Sequence, residues 1–289
     1  MQFTKFLAVA AAAVSGQVAI AQGVGEGGKL LLTNGVSTIE GASGGGLSTW
    51  ALIAGNETRD GIGGSAHVTL VETRDYGWRS YGAAIGFFDR VELSYVRQDL
   101  DTREIGAALG IGRGYTLNQD VFGAKLRVAG DAVYGDAWMP QIAVGVQHKR
   151  AADGAIARAV GARETKGTDF YLSATKLLLS HSVLLGGALR LTKANQNGLL
   201  GFGGDTEGGR SLQVEGAVGY QFSRRFVAGA EYRTKPDNLG IAREDDWWDV
   251  YAAYAVARNL TVSAAYVDLG SIATAKGQRG GFLQLQASF

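Results

Sequence analysis

The strongest constraint on this chain is a two-residue period that recurs through most of its length. Leu212, Val214, Gly216, Val218, Tyr220 and Phe222 alternate with Ser211, Gln213, Glu215, Ala217, Gly219 and Gln221. Successive side chains of a strand point to opposite faces, so this run has one apolar face ending in aromatics and one polar face. Phe226, Ala228, Ala230 and Tyr232 then oppose Val227, Gly229, Glu231 and Arg233, which predicts a hairpin about Ser223-Arg224. The pattern returns at Trp138, Ile142, Val144 and Val146 against Gln141, Gly145, Gln147 and Lys149. It returns again at Trp248, Val250, Ala252, Tyr254 and Val256 against Asp249, Tyr251 and Ala253. In the closing stretch, QRGGFLQLQASF, Leu283, Leu285, Ala287 and Phe289 face away from Gln284, Gln286 and Ser288. A helix would need a period of 3.6, so the chain is all-β.

Further strands are predicted near 65–75, 80–88, 90–100, 118–130, 167–179, 182–195 and 260–270, which makes twelve; 36–41 and 48–55 would raise the count to fourteen. Strands of about 11 residues exceed the ~5–6 of soluble sheets and match a membrane crossing by tilted strands. The expected architecture is a transmembrane antiparallel up-and-down β-barrel, which leaves no backbone group unpaired in lipid. The connections sort accordingly. If Phe289 marks the periplasmic side, the short turns at Asp89, Ser180-His181, Ser223-Arg224 and Arg258-Asn259 fall inside, with 131–137 as a medium turn. The longer segments 101–117, 150–166, 196–209, 236–245 and 271–278 fall outside. Tyr220, Phe222, Phe226, Tyr232, Trp247, Trp248, Tyr266 and Phe289 would form the interfacial girdles.

Composition excludes other classes. Gly is abundant at 44 of 289 residues while Pro numbers 2, which suits close-packed strands and turns and not helical bundles. Without Cys there is no disulfide framework, thiolate metal site or Cys nucleophile. At the amino terminus Lys5, the apolar run Phe6 to Val14 and Ala19-Ile20-Ala21 read as a secretory signal peptide, residues 1–21, with Gln22 first in the mature chain. A formal net charge of +1 offers nothing to nucleic acid. Residues 22–46 form a Gly-rich segment, periplasmic or lumenal, and 47–289 are expected to form the barrel. Gly23 to Gly28 spells G-x-G-x-x-G, but no strand precedes it and no helix pattern follows, so it carries no dinucleotide fingerprint.

The polar set, assigned to the lumen, brings Lys125, Arg127, Lys149, Arg190, Arg233 and Lys235 together with Glu92, Glu215, Glu231 and Asp249. Arg or Lys facing lipid at mid-depth would cost roughly 2–4 kcal/mol, which motivates the inward assignment. Such charges either select ions or neutralise each other and fill a narrow lumen. The three histidines, His67, His148 and His181, are scattered, and His148 lacks the nearby Ser and Asn of a lipid hydrolase, so no catalytic residue is assigned. Asp99-Asp101 and Glu244-Asp245-Asp246 lack an EF-hand loop, and neither metal nor cofactor is expected. Loop 150–166, rich in Arg150, Arg158, Arg163 and Lys166, suits a lipopolysaccharide surface or plain solvent.

The closing strand with its terminal Phe289, preceded by Leu285 and Leu283, resembles the carboxyl-terminal strand of bacterial outer-membrane barrels. That resemblance implies recognition by the barrel assembly machinery and residence among outer-membrane lipid and lipopolysaccharide. LLLTNGVSTIEGASGGGLSTWALI, SYGAAIGFFDRVELSY and WMPQIAVGVQHK together resemble a proteobacterial outer-membrane family catalogued only as a domain of unknown function. The resemblance implies fold and location in a Gram-negative envelope and transfers no functional residue. The inward charges and Gly-rich strands make a narrow, porin-like passive channel for small solutes the leading expectation, with an occluded structural or accessory barrel in envelope assembly as the alternative.

Overall fold

The computed structural model describes residues 28–289 apart from Gly135, Ala137 and Ala242. The signal peptide, its cleavage site and all but the last residue of the G-x-G-x-x-G run lie outside the described residues. Twelve antiparallel strands, each paired with its neighbours in sequence, close into one barrel. They are β3 (Ile62–Thr73), β4 (Gly77–Phe87), β5 (Val91–Asp101), β6 (Thr116–Ala129), β7 (Gln141–Ala151) and β8 (Lys166–Leu178). Then follow β9 (Val183–Thr192), β10 (Ser211–Ser223), β11 (Phe226–Arg233), β12 (Trp247–Ala257), β13 (Leu260–Asp268) and β14 (Arg279–Ser288). The seam is β14 on β3, in register from Gly280↔Thr73 to Ser288↔Ser65. The expected twelve strands are found, and the fourteen-strand alternative is ruled out. Val36–Ser37 (β1) and Ser43–Gly44 (β2) pair only with each other, in a two-residue hairpin.

The two-residue period explains this barrel directly. Val214, Val218, Tyr220 and Phe222 on β10, with Val250, Tyr254 and Val256 on β12, are exposed on the outer face. Gln213, Glu215 and Asp249 on the same strands are buried within. Apolar side chains thus point outward and polar ones inward, the reverse of a soluble protein. Three irregularities of register, at Gln221/Ser223, Arg127/Ala129 and Ala255/Ala257, all fall where strands turn back at the end that carries Phe289. Bulges of this kind increase local twist and end the pairing.

Connections at the Phe289 end are short except for 130–140; five of the six at the other end are long, and the sixth, 74–76, is a three-residue turn that alternation alone does not reveal. The long connections carry short helices at Arg103–Ala108 and Gly154–Ala159 and a 3-10 turn at Asn195–Gly198. Several details differ from expectation. Trp138 belongs to the 130–140 connection, since β7 begins at Gln141. The β10–β11 turn is at Arg224-Arg225, one residue later than expected. Trp247 is fully buried inside the barrel and belongs to no girdle, because it shares the face of Asp249 and Tyr251. The barrel begins at Ile62 and not at residue 47: Leu47 to Asn56 continues the segment that precedes it, and that segment lies in the lumen.

Candidate functional site

The lumen is filled by the chain's own residues 33–57, nearly all of them buried. Their root is the carboxyl terminus: the Asn56 backbone N–H donates to the Phe289 carbonyl at 2.7 Å, and the Asn56 side chain to the Ser288 carbonyl at 3.0 Å. The Phe289 carbonyl also accepts from Gly64 N–H at 3.1 Å, while its own N–H donates to Gly64 at 2.8 Å. From that root the segment rises into the barrel, turns through β1 and β2, and returns. Hereafter it is called the plug.

A loop-like segment in a barrel has few partners for its own N–H and C=O groups, and each one left buried and unpaired is costly. Inward side chains of the strands supply those partners. Glu92 accepts from the backbone N–H of Ser43 at 3.1 Å and of Ala54 at 2.9 Å. Lys125 donates to the carbonyls of Ser43 and Leu52 at 2.9 and 2.8 Å. Glu231 takes the Leu47 N–H at 2.7 Å and the Ser48 hydroxyl, and Glu215 takes the Thr49 N–H at 2.6 Å. Gln141 donates to the Ala51 carbonyl at 2.6 Å and Gln284 to the Ser37 carbonyl at 2.7 Å.

At mid-height the plug contributes one charge, Glu40, to a fully buried network. Glu40 pairs with Lys149, with Arg233 at 2.6 Å and with Arg190 at 3.5 Å. Arg190 also reaches Glu215 at 2.6 Å and Asp169 at 3.6 Å, and Asp169 holds Lys149 at 2.7 Å. Beneath them, Glu92 and Lys125 pair at 3.2 Å. Ions taken out of water survive only when paired and hydrogen-bonded on most sides, and every basic member here meets two or more acceptors. The structure therefore brings together Lys125, Lys149, Arg190, Arg233, Glu92 and Glu215 around the plug, with Glu231 on its backbone. Asp249 is buried beside Glu231, its register partner, without joining an ion pair among the described residues. Arg127 stands apart at the Phe289 end, bound to Asp89 and, at 2.9 Å, to Asp131. Lys235 lies above the network, 3.4 Å from Glu244. Leu283 and Phe289 are exposed on the outer face and Leu285 is half-buried there.

The sequence reading missed Glu40 and Asp169. Asp169 was legible, since it shares the inward register of Tyr171, Ser173 and Thr175 on β8. Glu40 was also marked, as the one acid between Glu26 and Glu57, but nothing local says that it meets three cations.

Above the charges the lumen is closed a second time. Asn195 to Phe202 folds inward, with Leu199, Leu200 and Phe202 buried. Its Asn197 side-chain oxygen accepts from Lys149 at 3.2 Å and Arg233 at 2.9 Å, so the fold-in is tied to the same network. Gln196 and Asn197 hold positive φ of 43° and 62°, and Gly198 follows at 107°, where a Cβ would strike the Gln119 side chain. An apolar layer of Leu47, Trp78, Leu100, Leu117, Trp247 and Phe282 packs around them. An internal void lined by Trp50, Tyr251 and Phe282 measures about 20 Å³, room for roughly one water.

The three histidines lie apart from one another. His67 is buried in the lumen, His148 is exposed and bonded to Thr168 at 3.0 Å, and His181 bonds its neighbour Ser180 at 2.9 Å on the surface.

A closed twelve-strand antiparallel barrel with an apolar outer face and a polar interior, here filled by the chain itself, is the fold class of transmembrane β-barrels. Residues 33–286 match the family described as "Protein of unknown function (DUF3034)", and the chain belongs to it. The KdgM porin superposes with a TM-score of 0.51 at 12% identity, over 78% of this chain and 99% of that one. The KdgM porin in complex with disordered oligogalacturonate gives 0.52, again at 12% identity and with the same coverage. The NanC porin gives 0.48 at 10% identity, over 78% and 98% of the two chains. No curated protein matches the chain.

Proposed function

We propose that this protein is a bacterial outer-membrane barrel whose own amino-terminal segment holds it shut, acting as an accessory or structural element of the envelope and not as a standing pore. One observation carries this reading: Glu40 sits where three inward cations from three strands meet, and the strands' charged side chains are spent on the plug's backbone. A channel would hold such groups free for solute and water. The shared fold with porins and the apolar outer face support residence in the outer membrane. The signal peptide, delivery to the barrel assembly machinery through Phe289, and lipopolysaccharide as neighbour belong to the same proposal.

The narrow passive channel keeps one argument, that the plug's own strands pair only with each other and no sheet ladder ties them to the barrel wall. Planar-bilayer recording on the full mature chain separates the two. Insertion without steady conductance at moderate voltage is the expected outcome. Stable, long-lived open steps from the unaltered protein would overturn the occluded reading in favour of the channel.

A further inference from the structure

Outside the plug, at the Phe289 end, an open cleft of about 390 Å³ straddles the rim between Arg59, the turn at Phe88, Asp89 and Arg90, and the end of β6 at Arg127 and Val128. Three guanidiniums face it against one carboxylate. Arg127 is committed, with its donors going to the Gly130 carbonyl, Asp89 and Asp131. Asp89 is committed as well, to Arg127 and to Lys29 at 3.0 Å. Asp131 already accepts the backbone N–H groups of Val133 and Tyr134, both at 2.8 Å.

Arg90 is left over, and Arg59 is held by a single long ion pair. Arg59 is 74% exposed and only 3.6 Å from the occupied Asp131. The Arg90 guanidinium is exposed, and no described residue engages it. Beside them the rim is apolar and uncovered: Phe88 and Val128 are exposed, and the 130–140 connection adds Tyr134 and Trp138, the latter 92% exposed. A guanidinium pair suits a phosphate, whose oxygens match its donor geometry. A free anion has no use for the rings and Val128; a lipid does, because aromatic and basic residues sit together at the level of headgroups.

We propose that this cleft binds the phosphate of an anionic glycerophospholipid from the leaflet at the Phe289 end, Arg59 and Arg90 donating to its oxygens and an acyl chain lying along Phe88 and Val128. The inference rests on the membrane reading above. The test is native mass spectrometry of the full mature chain released from detergent, titrated with phosphatidylglycerol and, separately, with inorganic phosphate as competitor. Unaltered protein retains bound phosphatidylglycerol, and the double variant Arg59→Ala, Arg90→Ala loses about tenfold in affinity, the scale of two charge-assisted contacts at an exposed site. Arg59→Lys with Arg90→Lys recovers part of the loss. Equal retention by the double alanine variant, or displacement of the lipid by inorganic phosphate at matched concentration, would overturn the proposal. Failure of the unaltered chain to enter phosphatidylglycerol vesicles at all would sink the membrane reading along with it, which tells the two failures apart.

Discussion

Glu40 shows how much one side chain decides here. Its carboxylate is the charge the plug brings to a cluster in which Lys149, Arg190 and Arg233 also draw on Asp169 and Glu215. Glu40→Gln keeps the shape and removes the charge, leaving three buried cations short of an anion. Breaking a buried pair from one side costs about 3–5 kcal/mol, so the urea midpoint of unfolding should fall clearly, and adding Arg233→Gln should recover part of the loss. An unchanged midpoint in the single variant would mean that Glu40 does not hold the plug. Glu57 acts at the plug's root. It is buried, and burial, aided by Asp89 and Glu92 and opposed by Lys29 and by its own backbone N–H, pushes it up to about 7. A carboxyl raised in the folded state favours the protonated form, so its stabilising effect is full below the ordinary carboxylate range and is lost as pH rises through about 7. The melting temperature should therefore fall between pH 5.5 and 8.5 by more in the unaltered chain than in Glu57→Gln; identical pH profiles would rule out this origin.

At the scale of elements, strands were legible and the plug was not. Val214, Val218 and Tyr220 against Gln213, Glu215 and Gly219 announce β10, because lipid on one side and polar filling on the other impose a strict period on each strand. Residues 36–41 and 48–55 contain the same apolar and β-branched types, yet Ile39, Trp50, Leu52 and Ile53 are buried by the barrel around them and not by neighbours in a sheet. Period reports which side of a strand is apolar; it cannot report a segment wrapped on all sides. The inward charges were legible as a set for the same reason that their partners were not: ion pairs such as Glu40 with Arg233 join positions 193 residues apart. The plug's elbow offers a test. A Cβ at Gly45 would collide with the Glu231 carboxylate, which itself holds Leu47 and Ser48. Gly45→Val should leave a barrel that still shifts on heating in gels, while limited proteolysis newly cuts within 34–57. A variant as resistant as the parent would show that the elbow yields without leaving the lumen.

For the whole molecule, the inside-out distribution of polarity makes a claim about solvent that a single pair of substitutions can check. Val218 lies midway along β10 with half of its surface exposed, and Ile241, in a loop beyond the strands, is exposed to a closely similar degree, 50% against 53%. In water the two sites would be alike, and Arg at either would be nearly neutral. In a bilayer Val218 faces hydrocarbon, where Arg costs roughly 2–4 kcal/mol near the midplane, and Ile241 remains in water. Val218→Arg should therefore weaken folding into phosphatidylcholine vesicles by about that amount, while Ile241→Arg leaves it within ~0.5 kcal/mol of the parent. Measured by reversible urea titration in vesicles, equal effects at the two positions would mean that the outer face of β10 does not meet lipid, and the outer-membrane reading would fall with it. A loss confined to Val218→Arg ties the two-residue period of the sequence to the solvent that selected it.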